Sequence, residues 1–359
     1  MAGNQWTVFL AMACLSAHAW AQPQNRPIKR PLNNQLAIEG PDTPTGRIDL
    51  PAATTGVAQQ LVFHVSPPSA KGLLSQQVED AIKALDKANG NATFLKLRAF
   101  VAGNGDLRRV QAIVTEVFTA RKWPLPALTT VQVGSLLQEG VQVVIESISE
   151  EKRAVNASGL TFIPGVEAAS GAGAIAALAQ RFGTATPLRV TCFASTLTDQ
   201  TQVRTMMKAQ FANAALNLMQ IQKDPDNQEV ECEAVARLSK APSGPVQLVN
   251  PTNAAFAQAA MVNAPEVIFT TTYSGSGSDD AVRSAFRALD ATLQAAGVGM
   301  DTIFYAYAYP INAMMLQKYR DVRFEFLKRD RAPASTNLAF EGLMTPVDTL
   351  GVDGIALPR

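Results

Sequence analysis

The stretch FLKLRAFV at residues 94–101 decides the fold, because two related stretches follow it, PLRVTCFA at 187–194 and TIFYAYA at 302–308. The first of them alternates charged and apolar side chains, which is typical of a half-buried β-strand. A strand that returns twice in altered form indicates tandem repeats, and repeats take precedence over any single motif. The rest of the chain is therefore interpreted around these three stretches.

Apolar residues at helical spacing lie on both sides of each stretch. Around the first stretch, Val78 and Ile82 precede it, and Val110 and Val114 follow it. A spacing of four places such residues on one face of a helix, and that face packs against a core. The pattern predicts one helix before and one helix after each central strand.

A further strand opens each copy, and two more close it. These are LVFHVS, TTVQV and VQVVIESI in the first copy, LTFIPG, LMQIQ and EVECEAVA in the second, and VIFTTTYSG, STNLAF and GVDGIAL in the third. The sequence therefore predicts an α+β chain with three β-α-β-α-β-β units, at residues 59–152, 153–240 and 241–359.

The beginning of the chain has the features of an export signal. The apolar run from Thr7 to Ser16 is shorter than the about 20 residues that span a bilayer, and small-residue cleavage sites follow it. We expect residues 1–21 to be a signal peptide and the protein to be periplasmic or secreted. Residues 22–58 are rich in Pro, Asn, Gln and Thr and are predicted to form a disordered arm.

Composition excludes several classes of function. Lys and Arg number 31 against 30 Asp and Glu, a formal charge of +1, whereas a nucleic-acid surface needs clustered positive charge. Without the signal peptide, the chain keeps one histidine, His64, and two cysteines, Cys192 and Cys232. These are too few for a catalytic triad or a zinc site. We expect no metal, no cofactor and no nucleic-acid partner.

The same residues have simpler interpretations. His64 stands in an apolar run and is interpreted as a partly buried core histidine. The two cysteines lie in predicted strands, and the sequence leaves open whether they are bridged. Charged residues make up 17% of the chain, against roughly 25% in an average soluble domain. An unusual share of surface must therefore be buried, and the repeats offer such surface to one another.

The repeats resemble the RidA/YjgF family of enamine/imine deaminases, also known as the endoribonuclease L-PSP group. The family typically reads VVKVTVFLTD, PARTTV and VEIEAIA along its strands. Here the first copy has FLKLRAFVAG, PALTTV and VVIESIS, and the second has PLRVTCFAST and VECEAVA. The third copy has the leading segment NPTNAAFAQAAMVNAPEVIFTTT. The resemblance covers about 300 residues in three tandem units.

The resemblance implies a fold and an assembly. Members of the family are homotrimers of chorismate-mutase-like subunits, with ligand clefts at the subunit boundaries. One chain with three such units is expected to form an intramolecular pseudo-trimer that runs as a monomer and has three non-identical clefts. Tethering replaces association between chains by association within one chain.

The resemblance also implies which residues act. In the family, a glutamate of VEIEA positions a water for imine hydrolysis, and the arginine of PAR holds the substrate carboxylate by two hydrogen bonds. The glutamate corresponds to Glu146, Glu233 and Asp353, our candidate catalytic residues. The arginine corresponds to Leu128 in the first copy and Ser335 in the third, and the matching region of the second copy contains no arginine.

Other side chains are candidates for holding a substrate. Arg98 and Arg189 project from the central strands, Thr271 stands where the family has the serine of SGQ, and Phe256 stands for the tyrosine of PYSQA. We predict these four as substrate-binding residues, and Lys96 is in register with Arg189. The alternative for the charged residues is a salt-bridged surface strand, and for the carboxylates a solvated or capping position.

Two glycine-containing segments carry weaker signals. Residues 170–176 read SGAGAIA, a G-x-G-x-x-A pattern at the start of a predicted helix. Close packing explains these glycines better than dinucleotide binding, because no parallel βαβ framework surrounds them. The SGSGS segment at 274–278 is interpreted as a flexible loop.

Two functional hypotheses follow. The first is an exported RidA-like protein of a family that hydrolyses enamines and imines, here without the standard reaction because the arginine is missing; any enzymatic activity would be that of a hydrolase. The second is a non-catalytic pseudo-trimer that binds a small carboxylate or imine metabolite or serves as a scaffold. A ribonuclease would need a basic groove, which the net charge does not favour.

Overall fold

The structure, a computed structural model, describes residues 50–103, 105–222, 230–249, 256–276 and 279–358, and the backbone alone at Asp279. The predicted signal peptide and most of the predicted arm lie outside these ranges. Within them the chain is a mixed α+β protein. None of the helices in these ranges is long and apolar enough to cross a membrane.

The elements fall into three successive parts. The first contains β1 (Ala53–Gly56), β2 (Leu61–Val65), α1 (Leu74–Asn89), β3 (Thr93–Ala102), α2 (Leu107–Ala120), β4 (Ala127–Val133), β5 (Ser135–Leu136) and β6 (Val143–Glu150). The second contains β7 (Leu160–Ala168), α3 (Gly171–Phe182), β8 (Thr186–Ala194), α4 (Gln200–Gln210), β9 (Ala215–Gln220) and β10 (Val230–Arg237). The third contains β11 (Val246–Val249), β12 (Ala259–Val262), β13 (Val267–Thr270), β14 (Tyr273–Gly275), α5 (Asp279–Ala295), β15 (Ile303–Pro310), α6 (Ala313–Val322), β16 (Ala334–Asn337) and β17 (Leu350–Ala356).

Each part builds a sheet with the same strand order. The first sheet runs β2-β6-β3-β4, the second contains β7-β10-β8-β9, and the third contains β13-β17-β15-β16. In every sheet the first two of these pairs are antiparallel and the last is parallel. The four strands of each of these orders and the two helices between them follow one another along the chain as β-α-β-α-β-β.

Each sheet is covered by its own helix pair on one face. In the first sheet, Leu97 and Ala99 of β3 pack with Val78 and Ile82 of α1 in one core cluster. Side chains two positions apart share a face of a strand. Lys96 and Arg98 therefore point to the opposite face, together with Phe100, which belongs to a different core cluster.

That second cluster is shared by all three sheets. It contains Phe63 of the first sheet, Phe162 of the second and Tyr305 of the third, each at most 6% exposed. The ring centroids of Phe63 and Phe162 lie 6.5 Å apart, and those of Phe162 and Tyr305 lie 5.9 Å apart. The faces of the sheets that point away from the helices therefore pack against one another.

Segments from neighbouring parts extend these sheets. Strand β1 pairs with β13 of the third sheet, β12 pairs with β7 of the second, and β5 pairs with β9. The N–H groups of Val155 and Asn156 both donate to the carbonyl of Gln59, just before β2. Thus the segments that lead into the first and third parts pair with the first strand of another part, and the segment that leads into the second part bonds to Gln59, just before β2.

Two segments have a structure different from the one that the sequence predicts. Residues 53–56 fall in the segment predicted to be disordered, yet they form β1, because β13 offers them a partner from a distant part of the chain. The predicted strand at 267–275 is interrupted, because the Thr271 N–H donates to Ala52 and the Thr271 and Thr272 hydroxyls bond to the first sheet.

The two cysteines that the sequence left open form a disulfide. Cys192 of β8 lies directly opposite Cys232 of β10, and both side chains are fully buried beneath helices α3 and α4. The bridge therefore joins the two central strands of the second sheet.

Candidate functional site

Six charged side chains meet where the inner faces of the sheets come together. They are Lys96, Arg98 and Glu146 of the first sheet, Arg189 and Glu233 of the second, and Asp353 of the third, and each is at most 8% exposed. We call this set the central charge cluster. It brings together all three predicted catalytic carboxylates and both predicted substrate-binding arginines.

Strand register explains how the three carboxylates come to equivalent places. Glu146 lies opposite Arg98, Glu233 lies opposite Thr191, and Asp353 lies opposite Tyr307. Each carboxylate thus stands on the closing strand, facing the central strand of its own sheet. The repeated stretches and the repeated closing strands together fix this geometry.

Arg98 joins the carboxylates of two sheets. Its Nη2 atom donates to Glu146 Oε2 over 2.7 Å and also to Glu233 Oε1, and its Nε atom lies 3.1 Å from Glu146 Oε2. Arg189 approaches the same two carboxylates at 3.5 and 3.6 Å. Both glutamates are therefore paired with an arginine from a neighbouring sheet.

Glu146 has further donors. The Thr191 hydroxyl and the Asn217 amide donate to its Oε1 over 2.6 and 2.9 Å. Burial by itself raises the pKa of this carboxyl, but Arg98, Arg189 and these two donors outweigh burial and lower the pKa to about 2. Glu146 is therefore ionised at neutral pH and occupied by protein partners.

Asp353 is held by Lys96 and Thr129 of the first sheet and by Thr272 of its own part. Lys96 Nζ lies 3.1 Å from Asp353 Oδ2, the Thr129 hydroxyl lies 2.5 Å from it, and the Thr272 hydroxyl lies 3.2 Å from it. Burial lowers the pKa of Lys96, and the contact with Asp353 offsets part of that effect. The third carboxylate is thus also engaged within the protein.

Little room remains inside the cluster. The cavity beside Arg98, Arg189, Tyr307 and Asp353 measures about 20 Å³, which accommodates one water molecule. Burial, followed by the nearby Glu233 charge, raises the pKa of Tyr307 to about 12, so its hydroxyl stays protonated. A substrate of four or more heavy atoms does not fit here.

The position of the family's arginine is apolar or uncharged in every sheet. Leu128, Leu216 and Ser335 face Leu97, Val190 and Ala306 across the equivalent parallel strand pairs. Leu128 packs into the core beneath the helices of the first sheet. No cation takes the place of that arginine at these three positions.

Two clefts open between the parts. One of about 100 Å³ lies between Ser66 of the first part and Leu216 of the second, with Arg204 and Lys208 of α4 at its wall. The other, of about 230 Å³, lies between the second and third parts. Its wall includes Pro164, Gly165, Glu167, Arg181, Glu231, Phe256, Gln258, Arg320, Ser335 and Asn337.

The third boundary is bridged. The Thr271 hydroxyl donates to the Leu128 carbonyl over 2.5 Å, and the Thr272 hydroxyl lies 2.6 Å from the Thr129 hydroxyl. Thr271 was predicted to bind substrate, and in the structure its hydroxyl makes a bond that joins the third part to the first. Of the four predicted substrate-binding residues, Phe256 is the one that lines a cleft between parts.

The tyrosines of the third part were not predicted as site residues from the sequence. Tyr305 and Tyr307 stand opposite Ala334 and Thr336, as Lys96 and Arg98 stand opposite Ala127 and Thr129. Their phenol rings occupy the positions that carry cations in the first sheet. The alternation of tyrosine and alanine in TIFYAYA was the available signal.

Other predicted sites have local structural roles. Ser170 caps helix α3 by accepting a hydrogen bond from Gly173, and Gly171 lies against Val203 of α4, as the packing interpretation expects. His64 is half-buried, and burial lowers its pKa, with a partial offset from Glu151. In the described ranges, no group of three or more His, Cys, Asp and Glu side chains is placed to hold a metal ion. The SGSGS segment lies partly outside these ranges.

Glu341 occupies a seam where all three parts touch. The Glu341 N–H donates to the Gln132 carbonyl of the first part. The Gln222 side-chain amide of the second part donates to the carbonyl of the neighbouring Phe340. A Cβ atom added at Gly134 would lie only 2.6 Å from Glu341 Oε1. Burial raises the pKa of this carboxyl to about 7, against a weaker opposite effect of backbone donors. The protonated acid is therefore the form that fits the seam.

Glu341→Gln is expected to flatten the pH dependence of stability near neutrality. A raised carboxyl pKa contributes stability below the ordinary pKa of 4.5, and that contribution is lost as pH rises through about 7. Allowing for partial exposure, the loss is about 1–2 kcal/mol. Urea unfolding at pH 5 and pH 8 measures it. The exposed variant Glu139→Gln is the control, and equal pH dependence in both variants contradicts the assignment.

Comparison with known proteins found structural neighbours of low identity. A member of the YjgF/YER057c/UK114 family from Mycobacterium tuberculosis is 16% identical, with 25% of this chain and 77% of that chain covered and a TM-score of 0.24. Yeast Mmf1 is 16% identical over 32% and 98% of the two chains, with a TM-score of 0.24. RidA from an Antarctic Psychrobacter is 14% identical over 32% and 98%, also at 0.24. No family model and no curated protein matches the sequence.

Proposed function

We propose that this chain is an exported, single-chain relative of the RidA/YjgF proteins, in which three units form an intramolecular pseudo-trimer. We further propose that it binds a small carboxylate metabolite in the cleft between the second and third units and does not hydrolyse imines. The observation that carries this proposal is the pairing of Glu146, Glu233 and Asp353 within the central charge cluster, away from the cleft of about 230 Å³.

The architecture is supported by what the three parts share. Their sheets have the same strand order and pair directions, and Glu146, Glu233 and Asp353 occupy equivalent positions in them. Each leading segment bonds to another part at, or just before, that part's first strand, which gives the contacts a cyclic order. We therefore expect the protein to be a monomer in solution. Light scattering tests this by measuring its molar mass.

The loss of the standard reaction is supported by the engagement of the carboxylates. A general base must reach the water that attacks the imine carbon and must have room for the substrate beside it. The cavity at the cluster holds one water, and Leu128, Leu216 and Ser335 offer no guanidinium for a substrate carboxylate. Neither requirement of the hydrolysis is met at the equivalent positions.

Binding is supported by the cleft of about 230 Å³. Arg181 and Arg320 stand in the last turns of α3 and α6 and are exposed at its wall. The Phe256 ring offers an apolar surface, while Ser335 and Asn337 offer neutral hydrogen-bonding groups. Exposed guanidiniums beside an aromatic ring suit a carboxylate with a short apolar tail.

Arg181→Gln/Arg320→Gln is expected to weaken binding of 2-oxobutanoate by at least about ten-fold, because hydrogen bonds to charged groups are worth about 1.5–3 kcal/mol. Isothermal titration calorimetry measures it, with the exposed Arg153→Gln as control. The wild-type protein incubated with 2-iminobutanoate should form no more 2-oxobutanoate than buffer does. Turnover contradicts the non-catalytic assignment, and no binding to the wild type leaves a scaffolding role.

A further inference from the structure

The central charge cluster is unevenly divided among the three parts. The first part supplies Lys96, Arg98 and Glu146, a formal charge of +1. The second supplies Arg189 and Glu233, which cancel, and the third supplies Asp353 alone, a charge of −1. The sum over one chain is therefore zero, while the first and third parts taken alone are not neutral.

The uneven division arises at equivalent positions. Lys96, Arg189 and Tyr305 stand opposite Ala127, Ala215 and Ala334 in their sheets. In the same way, Arg98, Thr191 and Tyr307 face the three carboxylates. The third part has a phenol at each place where the first part has a cation. The three inner faces are thus the same in geometry and different in charge.

Buried charges without partners are strongly unfavourable. Three copies of the third part would bury three carboxylates and no cation of this set. Three copies of the first part would bury six cations against three carboxylates. One copy of each part gives three of each sign, with cross-sheet contacts such as Lys96–Asp353 at 3.1 Å and Arg98–Glu233.

We propose that the central charge cluster is an assembly code, which allows each inner face to pack against the two different faces of this chain and rejects the same face of a second chain. The first inner face, with a charge of +1, therefore fits the third face, with a charge of −1. The second face is neutral. The inference rests on the three-unit architecture proposed above and is independent of ligand binding in the cleft.

The double variant Lys96→Met/Asp353→Asn tests the code. It gives all three inner faces a net charge of zero and keeps the sum for the chain at zero, while the side-chain amide introduced by Asp353→Asn retains an acceptor for Thr129. We expect it to refold, because buried pairs are often replaceable by neutral groups. Each single variant leaves one unpaired charge and should have a lower urea midpoint than the double variant.

Refolding at several protein concentrations measures how much the faces of different chains associate. The highest concentration should approach about 1 mM, the effective concentration of modules joined by a short linker. Size exclusion with light scattering should show monomer for the wild type at every concentration. The double variant should shift from monomer to oligomer as the protein concentration approaches this value, because identical faces no longer repel one another. A neutralised pair outside the cluster, Arg283→Gln/Glu325→Gln, whose side chains are 30% and 47% exposed, is the matched control and should behave like the wild type.

The exchanged variant Lys96→Asp/Asp353→Lys separates charge from packing. It reverses the charges of the first and third faces and keeps them unequal, so we expect it to refold as a monomer. Oligomers from the exchanged variant, or a double Met/Asn variant that stays monomeric at all concentrations, overturn the proposal. If the double Met/Asn variant fails to refold, the single variants Lys96→Met and Asp353→Asn decide. The proposal is overturned if they are as stable as the wild type. Ligand titrations report on the cleft alone. A failure of the proposed ligand binding is therefore distinguishable from a failure of the proposed role of the charge cluster.

Discussion

Replacing Arg98 by methionine is expected to lower the free energy of unfolding by about 3–5 kcal/mol. Arg98 is 5% exposed and donates to both Glu146 and Glu233, so its removal leaves the longer contacts to Arg189 as the ion pairs of these two buried carboxylates within the cluster. Methionine fills a similar volume, so the loss reflects charge more than an empty space. Urea unfolding followed by circular dichroism measures the change.

The control for this prediction is Arg108→Met. Arg108 pairs with Asp106 over 3.0 Å at the start of α2, but both side chains are more than half exposed. Solvent screens such pairs, so the free energy of unfolding should change far less than in Arg98→Met. Equal effects of the two substitutions would show that the central charge cluster has no special weight in stability.

Removal of the disulfide is expected to have an effect of similar size. Cys192 and Cys232 are separated by 40 positions, and closing a loop of that length stabilises a fold by about 4 kcal/mol. The double variant Cys192→Ala/Cys232→Ala should therefore unfold at a much lower urea concentration than the oxidised wild type. Strands β8 and β10 are also paired by backbone hydrogen bonds on both sides of the bridge. Its loss should therefore not alter the strand content of the folded protein.

The reduced wild-type protein supplies the comparison. Unfolded and refolded under a strong reductant, it should come close to the double variant, with a remaining difference that reflects only the smaller alanine side chains. If the oxidised wild type and the variant unfold at the same urea concentration, the bridge does not stabilise the fold.

Much of the fold was predictable because its signals are local. The apolar spacing of Val78 and Ile82 predicted a buried helix face, and both side chains are fully buried. The predicted register of Lys96 with Arg189 is confirmed, because they stand opposite Ala127 and Ala215 in equivalent parallel pairs. Strand alternation and helical spacing are properties of short stretches, so the sequence alone carries them.

The surroundings of the site residues were not predictable in the same way. Alternation placed Lys96 and Arg98 on one face of a strand, but an exposed salt-bridged strand satisfied that pattern equally well. The structure buries that face, because the other two sheets supply Glu233 and Asp353 to it. The solvated position considered for the carboxylates is wrong for the same reason. Partners that come from other sheets leave no periodic trace in the strand itself.

The edge strands show a related limit. Residues 53–56 have no pattern that distinguishes them from a linker, and they become β1 only because β13 offers an open edge. The seam around Glu341 is likewise assembled from three distant segments. In both cases the structure depends on what lies nearby in space, which single-sequence periodicity does not report.

The pairing of β1 with β13 also sets an order of events during synthesis. Ala53 is bonded in register to Thr270, so the partner of the first strand is made about 200 positions after the strand itself. At about 5–20 residues per second, synthesis takes some tens of seconds to proceed from β1 to β13. The first strand within the described residues is therefore among the last to find its partner, which does not exist until the third part has been made.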